Sequence, residues 1–183
     1  MGFFRRKPRL DGGGETLGHL LVPVAAQECV TLQETWGCTF EDDDQVAVFA
    51  ELAILFLSVA DRLAFKKYGD PLRTEFMNPA LAVVRAAFAR QSFFGETSED
   101  RGRYFNRLLL NRFQQYGNYK SIMGDNMEDN LVFNAARHLV SICLKEQPGT
   151  ESYWEVVGDT SKILTMATVT LFTTPSFKTL TSS

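Results

Sequence analysis

Apolar residues fall at Val46, Phe49, Leu52, Ala53, Leu55, Phe56, Val59, Ala60 and Leu63, covering most of the circumference of a helix rather than one stripe. A helix apolar nearly all round needs neighbours on every side. The acidic run Glu41-Asp42-Asp43-Asp44 suits its N-terminus, where carboxylates accept orphan amides and oppose the positive end of the dipole, and Gly69 is a fitting stop. The uninterrupted apolar run within it, from Leu52 to Ala60 with only Ser58 intervening, is closed by Glu51, Asp61 and Arg62. That is well short of the roughly 20 apolar residues a bilayer span requires. Residues 44–68 are therefore expected to form the central helix of a water-facing bundle rather than a transmembrane segment.

The remaining segments read as its surroundings. Leu21, Val22, Ala25, Ala26, Cys29 and Leu32 recur at helical spacing up to Trp36-Gly37, and Pro23 must begin or kink that helix. Asp70-Pro71 and Asn78-Pro79 predict two helical pieces or one kinked helix over 71–92, with Phe76, Ala80, Val84, Ala87 and Phe88 buried. Thr97 or Ser98 caps a helix reaching Tyr116, with Gly117 as its end. Asp125 with Glu128, and Ser152 with Glu155, resemble capping boxes for the last two helices. The β-branched stretch 165–174 alternates as a strand would, but a lone strand has no partner elsewhere, so helix is expected. The fold class is all-α, a single-domain bundle of about six helices.

Residues 1–14 read as a flexible basic leader ending in the Asp11-Gly12-Gly13-Gly14 hinge, 15–174 as the helical domain and 175–183 as a disordered tail. A length of 183 residues with 45% hydrophobic and 22% charged residues, fifteen of them Phe, supplies a core without metal or disulfide staples. Cys29, Cys38 and Cys143 are odd in number and lack C-x-x-C spacing, which points to a reducing, cytoplasmic setting. A secretory signal fits poorly, because Asp11, three glycines and Glu15 separate the basic leader from an apolar run that itself contains His19 and Pro23.

No reaction centre is legible. The glycines follow no strand and no phosphate-loop pattern occurs; His19 and His138 lie in different helices without metal-ligand spacing, so neither a metal nor another cofactor is expected. Cys143 and His138, five residues apart on one helix, point apart. Glu51 and Asp61 stand in or beside a very apolar segment and need partners; Arg62, Arg85 or Arg112 would make a buried network that fixes helix register, whereas an acid of raised pKa is the sharper alternative.

Two surfaces are candidates for contact. Arg101, Arg103 and Arg107 would form a face for phosphate or an acidic partner, although the net charge of -3 gives no general reason to expect nucleic-acid binding. Phe3, Phe4, Arg5, Arg6 and Lys7 would allow transient contact with an anionic membrane surface.

The stretch Leu57-Ser58-Val59-Ala60-Asp61-Arg62-Leu63-Ala64-Phe65, with Phe76-Met77, resembles a segment of small helical bacterial proteins of unassigned function. The resemblance implies helices and attaches no activity. Together these readings lead to a non-catalytic interaction or adaptor protein, joined to a protein partner or to copies of itself through the Thr-rich last helix and Phe residues such as Phe93 and Phe94. The alternatives are a bundle holding an apolar small molecule in its core, and phosphate or nucleic-acid binding through the arginine face.

Overall fold

From Val48 to Ala60 every residue of α2 (Asp42–Tyr68) is buried, more than three consecutive helical turns without a solvent face. Such a rod is stable in water only when wrapped, and α2 touches each of the other five helices of a computed structural model that describes residues 10–90, 98–143 and 151–173. These are α1 (Leu10–Trp36), α3 (Leu72–Arg90), α4 (Ser98–Gly117), α5 (Leu131–Cys143) and α6 (Glu151–Thr173). The protein is an all-α, single-domain bundle, with no strand among the described residues.

The expected limits of α2 agree with those observed. Asp42, Asp43 and Asp44 occupy its first turn, and Gly69, at φ 66°, donates its amide to the carbonyl of Phe65. Lys66 and Lys67 sit in the last turn, against the negative end of the dipole. α6 is helical through its β-branched stretch. Its residues Tyr153, Val157, Thr160, Leu164, Thr168 and Leu171 return to the core every three or four positions, and this burial outweighs local strand preference.

Helix α1 differs from expectation at its start. Residues 10–14 are already helical where helix was expected from about Glu15, so the glycines expected to form a hinge lie within α1. Packing explains this. A Cβ on Gly14 would run into the carbonyl oxygen of Phe76, and one on Gly18 would lie 2.7 Å from Val83 Cβ and 2.8 Å from the Ala80 carbonyl oxygen. The backbone of α1 thus lies almost on that of α3, an approach only glycine permits, and the burial gained offsets the entropy these glycines lose. Pro23 is accommodated inside α1, and Pro79 inside a single α3.

The link between α4 and α5 also departs from the expected capping box. Asn126, not Asp125, accepts from the Glu128 amide to open a short 3-10 turn (Met127–Asp129), and Asn130 accepts from the Phe133 amide at the start of α5. Asn134 then donates its side-chain amide to the carbonyls of Met127, Glu128 and Asn130, tying the turn to the helix. The pair Ser152 and Glu155 falls inside α6.

Candidate functional site

The two carboxylates on α2 are both partnered. Glu51 is 1% exposed, receives the Nε of Arg112 in a short charge-assisted hydrogen bond, and accepts the Tyr116 hydroxyl at 3.2 Å. Burial pushes the Glu51 carboxyl up, and the Arg112 charge with the two hydrogen bonds pulls against it. Arg112 also donates to Gln115 Oε1 at 2.7 Å. The result is a saturated link between α2 and α4.

Asp61 meets Arg73 of α3 at 3.5 Å, and Arg73 in turn contacts Asp70 at 3.0 Å. Its neighbour Arg62 is not its chief partner. The Arg62 guanidinium donates to the carbonyls of Tyr116 and, at 2.6 Å, Tyr119, closing the C-terminal end of α4. Asp61, Arg62, Arg73, Phe65 and Phe113 line a cleft of about 310 Å³ whose charges are thereby engaged with one another or with backbone. Burial raises the Asp61 carboxyl, opposed chiefly by Arg73. Of the arginines expected as partners, Arg112 pairs with Glu51 and Arg85 is exposed; Arg73, just across the turn that follows α2, was not among them.

Beside Tyr116, 6.2 Å between ring centroids, lies His138 of α5. Burial, then the charges of Arg112 and Arg137, push its pKa down to about 4, so the ring is neutral at physiological pH. Burial likewise pushes the Cys29 thiol up to about 12 and raises Cys143, holding both as neutral, poorly nucleophilic thiols.

The three arginines read as one face are placed differently. Arg101 donates from Nε and Nη2 to the Ala89 carbonyl at 3.1 and 2.9 Å, against the last turn of α3. Arg103 pairs with Asp100 at 2.6 Å, and Arg107 is exposed. Two of the three are thus engaged within the fold, Arg101 with backbone and Arg103 with a carboxylate. Phe3, Phe4, Arg5, Arg6 and Lys7, like Phe93 and Phe94, lie outside the described residues.

A larger concavity lies elsewhere, between α1 and α6. Trp36 donates its indole N–H to Thr160 at 3.1 Å near one end of α1. From there the lining extends back along α1 to Leu20 and forward along α6 to Leu171, so the two helices run antiparallel and leave a groove of about 540 Å³ between them. Leu20, Val24, Ile163, Met166, Ala167 and Leu171 supply its apolar surface, with Thr31, Thr170 and Gln27 at intervals. Met166 is 71% exposed, and Val30 and Val169 stand exposed on the same two helices. One charged side chain lines it, the half-buried Glu28, whose carboxyl burial raises.

The sequence pointed to α6 as a contact surface but not to α1. The signal was present as a second stripe: Leu20, Val24, Gln27, Glu28 and Thr31 repeat at helical spacing beside the buried stripe Leu17, Leu21, Ala25, Cys29 and Leu32. Comparison with family models, with curated proteins and with solved structures finds no match.

Among the described residues, no helix is long and apolar enough to cross a membrane, and no group of three or more His, Cys, Asp or Glu is placed to hold a metal ion.

Proposed function

We propose that this chain is a protein-interaction module that receives an amphipathic helical segment of a partner protein in the groove between α1 and α6. The observation that carries this reading is the open apolar trough itself, about 540 Å³, bordered by a methionine that is 71% exposed. Exposed Met is costly to leave in water and adapts readily to an incoming side chain. The lining on α1 spans 12 residues from Leu20 to Thr31, about 16 Å of helix axis, which matches roughly three turns of a docked helix. Anchors at i, i+3 or i+4, and i+7 on a partner would fill it.

A small apolar molecule in the core is less well supported, because the core around α2 is filled by its own side chains and its carboxylates are partnered. A second copy of this chain across the groove is less favoured too. An isologous contact would cover the groove with its own lining, which offers no lysine or arginine to meet Glu28.

The test is a photo-crosslinking residue placed at Met166 and, separately, at Thr170, both exposed, in the protein expressed in its own host. The expected result is an adduct mapping to one amphipathic helical segment of another protein. A synthetic peptide of that segment should bind the purified protein, and Ala167→Asp should weaken it at least about 30-fold, the cost of placing a charge in an apolar contact. Circular dichroism of that variant should stay helical. Adducts only to a second copy would replace this reading with self-association; adducts only to lipids or small molecules, or none, would overturn it.

A further inference from the structure

We infer that Glu28 selects the occupant of the groove, which must present a lysine or arginine opposite it at one end of an otherwise apolar face. The inference rests on the groove being a docking surface, and it concerns what distinguishes one amphipathic helix from another there.

Charge complementarity carries it. Glu28 is the one charged residue of the lining, and no ion pair or side-chain hydrogen bond engages it among the described residues. The two carboxylates of α2 described above, Glu51 and Asp61, each have an arginine. Glu28 instead faces an apolar trough whose remaining polar atoms belong to Gln27, Thr31 and Thr170. A docked helix without a cation would strip water from this carboxylate and return nothing. Its burial already raises the carboxyl's pKa in the free protein, which is the direction that incomplete solvation imposes.

Position adds polarity. Glu28 lies eight residues from Leu20 but three from Thr31, about 12 Å and about 4.5 Å along α1. The cation of the partner is therefore placed toward the Thr31 and Ile163 end, and its apolar anchors toward Leu20 and Leu171. A segment with its basic residue in the middle of the apolar face would not satisfy both. Long Lys and Arg stems suit this position, since their methylenes cover apolar wall while the head reaches the carboxylate.

The probe is a displayed library of helical 14-residue peptides. Its apolar positions vary among Leu, Ile, Met, Phe and Val, and one position at the end of the apolar face is Lys, Gln or Glu. On the wild-type protein, Lys should be enriched over Glu by at least about tenfold, narrowing as salt rises. Glu28→Gln should remove the preference, and Glu28→Lys should reverse it. If Ala167→Asp abolishes capture while Glu28→Gln leaves the Lys-to-Glu ratio unchanged, the role of Glu28 is wrong and the groove remains a docking surface. If peptides bind equally to wild type and Ala167→Asp, or none is enriched on either, the docking reading falls and this inference with it.

Discussion

At the scale of single residues, the interior of this bundle tolerates charge only where a partner saturates it, and His138 shows the opposite solution. Glu51 keeps its carboxylate because Arg112 and Tyr116 occupy it. Among the described residues nothing hydrogen-bonds the buried Nε2 of His138 and two arginines lie nearby, so its ring stays neutral, with a pKa pushed down to about 4 from an ordinary 6.5. Unfolding frees it to bind a proton at its ordinary value. Stability contributed by the neutral ring is thus complete above about pH 6.5, falls as pH drops from there toward 4, and is flat below. The full effect is at most about 3 kcal/mol, less for the part of the ring that solvent reaches. Glu51, Asp61 and Glu28 work the other way. Their carboxyls are raised on folding, so they bind protons more tightly in the folded state and favour it as pH falls. Denaturant unfolding of wild type and His138→Gln at pH 7, 6, 5 and 4 separates the two: the carboxylates cancel in the difference. The variant is expected to gain on the wild type by about 1–3 kcal/mol between pH 6.5 and 4. A difference independent of pH would mean that His138 is not held neutral.

The elements show where sequence periodicity suffices and where it does not. For α2 it does, because burial on all sides is written into residues 46–63 themselves, and the acidic start and Gly69 stop are local signals. For the beginning of α1 it fails. Gly12, Gly13 and Gly14 carry no periodicity, and the close packing of Gly14 and Gly18 on α3 involves residues more than 60 positions away in sequence. The same holds for the groove, where α6 alone is legible as an apolar surplus but the facing stripe on α1 acquires meaning only once the two helices lie side by side. Arg73 illustrates it for the carboxylates: pairing across helices depends on register that no local pattern encodes. The glycines give a paired test. No described residue comes within 4 Å of where a Cβ on Gly12 would stand, so Gly12→Ala should stabilise by up to about 1 kcal/mol through helix propensity. Gly14→Ala has the same propensity gain but must push α3 away from α1, and should destabilise by roughly 1–3 kcal/mol net. Thermal melts of the two variants should move in opposite directions. Movement together would place the start of α1 away from α3.

For the molecule as a whole, α2 decides how the parts are coupled. α1, α3 and α4 pack in succession on one another, and α5 packs on α6, while the direct meeting of α1 with α6 is slight and opens into the groove. What joins the two groups is the rod that both bury. Two helices separated along one edge leave an accessible trough without weakening the fold, provided that the rod beneath them is intact. Loss of packing in α2 should therefore be felt at both sides at once, and loss at the groove should not. Phe56 is fully buried and Phe65, on the same helix, is 52% exposed. Phe56→Ala should cost about 3–5 kcal/mol and lower the melting temperature by roughly 6–20 °C, and Phe65→Ala should cost under about 1 kcal/mol. In native-state hydrogen exchange, Phe56→Ala should lower the protection of core amides in α3 and in α6 by the same free energy, because both report one global opening through α2. Separate losses, with α3 exposed while α5 and α6 keep their protection, would show that the two sides stand independently and that the rod is a neighbour rather than the common core.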